Sequence, residues 1–239
     1  LLGDLGRYSE AEALYRRALS IREEELSSDH PDTANIQDSL ADMLYAQRRY
    51  EEANIIYFRV LAIREQKFGA ESTDAVVYRK VLAKKLKDQG CYKEAEKLYR
   101  DSLAIDEKEF GAEHSDTAQC CSDLARVLYE QKMFSEAEMF WRRALAIREK
   151  MPGDENLHTA MCCNNLGIAV YRQGRYEEGE MLCRRALAIR EKILGDHPDT
   201  AASCDQLAVF LDGQDRREKA EVFRRRALAI REKTIEPDE

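Results

Sequence analysis

The chain has 239 residues, 44% hydrophobic and 35% charged, with 11 glycines and 4 prolines; this is too apolar for a disordered chain and too poor in turn formers for an all-β fold, so helix is expected. Its 46 acidic and 38 basic side chains leave a net charge of -8, which repels phosphate backbones and argues against a nucleic-acid partner. Mean hydropathy is -0.61 and no apolar run nears the roughly 18 residues of a membrane helix, so a soluble chain without a membrane partner is expected.

Tyr8, Tyr50, Tyr92, Phe134 and Tyr176 recur every 42 residues, so the chain holds about 5.7 copies of one unit. Residues 1–31 read as a partial copy. Leu2 aligns with Leu44, and Gly6-Arg7-Tyr8 with Arg48-Arg49-Tyr50, so the chain opens in the last turn of a helix whose beginning is absent. No targeting signal is visible there, and the chain reads as a fragment of something longer. One second-type helix follows, with Ala11 and Tyr15 four apart and then Ala18-Leu19-Ser20-Ile21-Arg22-Glu23.

Residues 32–73 contain a full pair: a first helix with the stripe Leu40/Ala41/Leu44, then a second with Ala53/Tyr57 and Val60 to Glu65. Residues 74–115 repeat it with Leu82/Ala83/Leu86, Ala95/Tyr99 and Ser102 to Glu107. Residues 116–157 carry Leu124/Ala125/Leu128, Ala137/Trp141 and Ala144 to Glu149. In 158–198 the stripe is Leu166/Gly167/Val170 and the second helix holds Ala186 to Glu191. Residues 199–239 end the series with Leu207/Ala208/Leu211 and Ala227 to Glu232. The final step is one residue short because the turn Gly195 to Asp199 is shorter than Gly111 to Asp116, a change that loops absorb.

Spacings of three and four place each stripe on one helix face, and the small residue before each aromatic lets a partner backbone approach. Asp32, Asp74, Asp116 and Asp199 stand at the starts of first helices, where N-caps are expected, and His158 takes that place in the fifth copy. Ser9 with Glu12, and Ser135 with Glu138, have capping-box spacing. Such helices are marginal alone, so a self-similar array of pairs implies a solenoid stabilised by neighbouring pairs.

Seven cysteines, among them the adjacent pairs Cys120-Cys121 and Cys162-Cys163, do not form a disulfide framework and read as free thiols in a reducing, cytoplasmic compartment. Cys121, Cys163 and Cys204 share a register but lack the short spacing of zinc thiolates, so core packing is expected and no metal. His30, His114 and His197 sit in equivalent turns and read as helix punctuation. No nucleophile elbow, phosphate loop or metalloprotease pair occurs, so neither a catalytic site nor a cofactor is expected.

The unit Asn164-Asn165-Leu166-Gly167, Gly174-Arg175-Tyr176-Glu177-Glu178, Arg185 to Gly195 and His197-Pro198-Asp199 resembles the long tetratricopeptide repeat of kinesin light chains and nephrocystin-like proteins, over essentially the whole chain. The resemblance implies an all-α fold: a right-handed α-solenoid of antiparallel helix pairs, about 5.5 repeats in a single domain, with a concave groove lined by first helices that holds a peptide. Carried onto this chain, the groove candidates are Asn35, Asp38, Lys80, Lys84, Lys87, Arg126, Tyr129, Asn164, Asn165 and Arg172, with Asp42, Tyr45, Asp205 and Asp212 on the same face. Family members that bind peptides grip the ligand backbone through Asn before the stripe Leu; here Asn164-Asn165 keeps that pair.

Lys80, Lys84 and Lys87, then Arg126 and Arg172, form a basic middle between Asp38/Asp42 and Asp205/Asp212. A non-catalytic, kinesin-light-chain-like adaptor that binds an extended acidic segment of a partner protein is therefore expected. The alternative is a scaffold or sensor arm of a larger signalling protein, acting by intramolecular contacts or by self-association through the open N-terminal end.

Overall fold

The computed structural model describes residues 8–151, 153 and 156–235; Leu2, Gly6, Arg7 and the side chain of Ser9 lie outside the described residues. Eleven helices are present among them. They are α1 (Tyr8–Leu26), α2 (Pro31–Ala46), α3 (Tyr50–Phe68), α4 (Thr73–Asp88), α5 (Tyr92–Glu109), α6 (Ser115–Glu130), α7 (Phe134–Glu149), α8 (Leu157–Arg172), α9 (Tyr176–Leu194), α10 (Pro198–Gly213) and α11 (Arg217–Ile235). The chain divides into two compact units, residues 1–98 and 99–239, the division falling within α5.

In the first unit α1 packs on α2, α2 on α3 and α3 on α4. The stripe residues Leu40, Ala41, Leu44, Leu82, Ala83 and Leu86 are all essentially inaccessible, as their spacing requires. In the second unit each helix from α6 to α11 packs on its successor. There Leu124, Leu128, Leu166, Val170, Leu207 and Leu211 are wholly buried. Burial of each such Leu contributes about 1.5–3 kcal/mol, which makes this recurring seam the dominant stabilising contribution. The fold is all-α, a stack of helix hairpins of the expected solenoid class.

Two expectations about helix starts are corrected. The N-caps of first helices lie two residues before the expected Asp or His158 positions: His30, Ser72, His114, Asn156 and His197. Nδ1 of His30, His114 and His197 accepts from the amides of Asp32, Asp116 and Asp199 at 3.2, 3.2 and 3.1 Å. Oγ of Ser72 and Oδ1 of Asn156 accept from the amides of Ala75 and Thr159 at 3.3 and 3.0 Å. The aspartates stand in the first turn, where a carboxylate still favours the positive end of the dipole. Ser135 caps nothing either: Met133 precedes α7 without a side-chain bond, while Glu138 pairs with Arg142 and Arg175.

Each hairpin turn closes in the same way. The residue after the first-helix C-cap is left-handed: Arg48, Lys132 and Asp215 at φ 62°, 65° and 58°, and glycine at 90 and 174. The next amide then reaches back five residues, Arg49 N to Leu44 O and Met133 N to Leu128 O, both at 2.9 Å. This arrangement satisfies a helix-end carbonyl and turns the chain into the second helix.

Candidate functional site

In the first unit, α2 and α4 stand side by side as first helices and α3 closes the space between them from below. They enclose a cavity of about 580 Å³ lined by residues of all three helices. Asp38 and Asp42 come from α2, Tyr57 and Arg64 from α3, and Asp74, Val77, Tyr78, Val81 and Lys85 from α4. Asp74, Val77, Val81 and Lys85 follow one another at three- and four-residue steps with Tyr78 beside them, which places them on one face. Val77 and Val81 are 54% and 46% exposed, so part of the wall is apolar and open.

The polar groups of this cavity are cross-linked between helices. Tyr57 Oη donates to Asp42 Oδ1 at 2.5 Å, and Lys85 Nζ donates to the same oxygen at 2.7 Å. The ammonium also lies 4.9 and 5.0 Å from the ring centroids of Tyr45 and Tyr57. Tyr78 Oη donates to Asp38 Oδ1 at 2.7 Å. Arg64 grips both oxygens of Asp74 at 3.0 and 2.9 Å, reaches Asn35 Oδ1 at 3.3 Å, and stacks 4.7 Å above the Tyr78 ring. Burial, only partly offset by the Tyr78 hydroxyl, pushes the Asp38 carboxyl above its ordinary value. Burial, reinforced by Asp42 and Asp38, likewise pushes the Tyr57 and Tyr78 phenols far up, so both remain donors.

The second unit has a counterpart of about 200 Å³ between α6, α7 and α8, lined by Arg126, Tyr129, Glu130, Trp141, Asn165 and Ile168. Tyr129 leans on the rings of Phe134 and Trp141, at 5.3 and 5.9 Å between centroids. Arg126 Nη2 lies 3.9 Å from Asp123 Oδ1. Trp141 is 2% exposed, and its Nε1 has no acceptor among the described residues.

The two cavities occupy the same place in the repeat. Two periods separate Asp42 from Arg126, Tyr57 from Trp141 and Val81 from Asn165, and all six line their cavities. A common aromatic floor is thus combined with Asp42 and Val81 in one unit and with Arg126 and Asn165 in the other.

Of the residues expected from sequence, Arg126, Tyr129 and Asn165 meet in one cavity and Asp38 lines the other. Asn35 is exposed and lines a smaller recess of about 230 Å³ beside Arg64, Phe68 and Asp74. Lys84 is exposed and makes no ion pair among the described residues. Lys87 is half-buried and paired with Asp88 at 2.8 Å. Lys80 and Lys87 lie about 140° and 160° around α4 from Lys85, so they do not share its wall. Asn164 is half-buried, and its Oδ1 has no partner among the described residues. Arg172 is exposed near the end of α8. Asp205 and Asp212 are bound by Arg231 and Arg224.

The sequence reading missed the second-helix contribution, Tyr57, Arg64 and Trp141, and the α4 wall. The available signal was the Ala53/Tyr57 and Ala137/Trp141 spacing, which was assigned to packing alone. The arginine of the recurring Ala-Ile-Arg-Glu stretch bridges in the same way elsewhere: Arg148 binds Gln119 Oε1 and His158 O, both at 2.8 Å.

Among solved structures, the chain is similar to BtubC (BKLC) of P. vanneervenii, with a TM-score of 0.76 and 22% identity over 97% of this chain and 94% of that one. It is also similar to nearly identical tetratricopeptide-like repeats described as a kinesin light chain of Podosopora anserina, with a TM-score of 0.71 and 25% identity over 86% and 98%. Apo RapI gives a TM-score of 0.62 at 17% identity over 97% and 96%. No match is found among curated proteins, and none of these similarities indicates an enzyme family. No described helix is long and apolar enough to cross a membrane. A tetratricopeptide repeat model matches residues 1–66, 74–150 and 156–233. Three stretches of match, the recurring hairpins and solved neighbours of the kinesin-light-chain type together establish that the chain belongs to the tetratricopeptide repeat family.

Proposed function

We propose that the chain is a non-catalytic protein-interaction module that takes an extended segment of a partner protein along its first helices, one guest side chain to a cavity. The observation that supports this is the shared register of Asp42/Tyr57/Val81 with Arg126/Trp141/Asn165. A constant floor with variable walls is what a scaffold with individual reading sites requires. In the second unit the walls favour an acidic residue. Arg126 supplies charge beside the single carboxylate Glu130, and Tyr129 and Asn165 supply donors. Lys84 adds an exposed cation. Six of the seven thiols are buried and all are unpaired, which fits a cytoplasmic setting.

Trp141 is the only tryptophan, so its emission reports the second-unit cavity. Titration with a peptide rich in Asp and Glu should change that emission with an affinity that weakens as salt is raised. Arg126→Glu should abolish the change and Lys84→Glu should weaken binding. Indifference to both salt and charge reversal would remove the acidic preference.

A second reading, self-association through residues 1–31, has one observation in its favour. Ile21 is 49% exposed, whereas Ile63, Ile147, Ile189 and Ile230 are at most 4% exposed and Ile105 is half-buried. Light scattering across a concentration series tests it: a constant mass of 27.6 kDa counts against it.

A further inference from the structure

We propose that the cavity of the first unit is a receptor for a cationic side chain, a lysine or arginine of the bound segment, whose place in the free protein is held by Lys85. This rests on the reading of the chain as a peptide-binding module and specifies what one of its cavities accepts.

The argument begins with charge. The lining carries three carboxylates, Asp38, Asp42 and Asp74, against two cations, Arg64 and Lys85. Arg64 is committed to Asp74 by two bonds and to Asn35 by a third. Lys85 is committed to Asp42. Asp38 is left with a neutral phenol, that of Tyr78 at 2.7 Å, and no ion pair among the described residues. The cavity therefore has one negative charge in excess, on a half-buried carboxylate. An anionic guest would meet that charge with both cations already engaged. A cation would compensate it.

Shape and surface chemistry agree. The Tyr45 and Tyr57 rings attract a cation within about 6 Å, and the Lys85 ammonium already demonstrates the geometry at 4.9 and 5.0 Å. Val77 and Val81 present exposed aliphatic surface beside the charged end. That combination suits a side chain with an apolar stem and a charged tip. At about 580 Å³ the cavity has room for a guest. Lys85 is displaceable, because Asp42 is 57% exposed and a solvent-screened pair of this kind contributes little. The counterpart in the second unit has Arg126 for Asp42 and Asn165 for Val81, so the preference belongs to the first unit's own residues.

The test uses the full chain with labelled valine methyls and small probes. Nα-acetyl-arginine amide and Nα-acetyl-lysine amide should shift the Val77 and Val81 methyl resonances saturably. Nα-acetyl-citrulline amide and Nα-acetyl-glutamate amide should not. Lys85→Ala should tighten the arginine probe about two- to fivefold by removing the internal competitor, and Asp38→Asn should weaken it by a similar factor. Equal responses to arginine and citrulline, or no tightening in Lys85→Ala, would overturn the proposal. If circular dichroism shows that a variant does not fold, the arginine-to-citrulline comparison on the unaltered chain decides. Trp141 emission reads the other cavity, so silent valines beside a responsive tryptophan sink this inference alone. Responsive valines beside a silent tryptophan sink the acidic reading instead.

Discussion

Gly167 of α8 and Gly179 of α9 pack backbone against backbone: a Cβ on Gly179 would stand 2.8 Å from Gly167 O, and one on Gly167 would stand 2.9 Å from Gly179 O. The equivalent positions elsewhere in this unit are alanine, as in Ala125/Ala137 and Ala208/Ala220, all essentially inaccessible. Replacing Gly179 by Ala gains about 1 kcal/mol of helix propensity but overpacks a contact with backbone, which costs about 1–3 kcal/mol. The steric cost wins because Gly167 O cannot rotate away. A lowered urea midpoint for Gly179→Ala is expected; a raised one would show that the helices separate freely.

Arg148 is a buried cation holding three elements. Its Nη1 donates to His158 O at 2.8 Å and Cys162 Sγ at 3.1 Å, and its Nη2 donates to Gln119 Oε1 at 2.8 Å. Arg148→Leu leaves Gln119 Oε1 without this donor and should cost about 2–3 kcal/mol in chemical denaturation. Arg142 is 45% exposed, and Arg142→Ala should cost less than about 1 kcal/mol. Equal losses would show that the buried network carries no special weight.

The first-helix caps use His, Ser or Asn interchangeably. His114→Ala and His197→Ala should each lower stability by about 1 kcal/mol, while His→Asn should cost only a few tenths. Thermal melts of the four variants distinguish capping from any other role for these histidines.

Burial alone would raise the Glu180 carboxyl, but Arg184, Arg216 and Gln214 together hold it below its ordinary value of 4.5. The folded state thus binds this proton less tightly than the unfolded chain. The stabilisation is present above about 4.5 and is lost as pH falls through the lower folded value. Glu180→Gln should flatten the acid limb of a melting-temperature profile between those values and lower stability at neutral pH.

Burial pushes the Cys121 and Cys163 thiols up to about 11 and Cys183 to about 12, and raises Cys91 as well, but Cys91 is the one cysteine not buried. The native protein should show one fast thiol in an Ellman assay, lost in Cys91→Ser; several fast thiols would mean that the hairpins open readily.

Much of the architecture was legible in sequence. The 42-residue period, the Leu/Ala stripes and the six-residue second-helix stretch locate the helix pairs correctly. The caps were misplaced by two residues because Asp32, Asp116 and Asp199 stand out as the familiar cap type. The structure instead uses the imidazole just upstream, a signal visible in the recurring His, Ser or Asn at 30, 72, 114, 156 and 197.

The lining of the two cavities was legible in part. Arg126, Tyr129 and Asn165 were assigned to one face and do meet. On α4 the sequence points to Lys80, Lys84 and Lys87, whereas Lys85, one residue and about 100° further round the helix from Lys84, carries the contact with Asp42.

The sequence by itself determined the class of fold, because a buried stripe contributing about 1.5–3 kcal/mol per Leu must recur in every copy and so leaves a periodic trace. Only the tertiary structure decided which charges are free and which are spent. That outcome depends on how neighbouring hairpins turn their faces together, through screened pairs of about 0–1 kcal/mol that vary from copy to copy and leave no period to read.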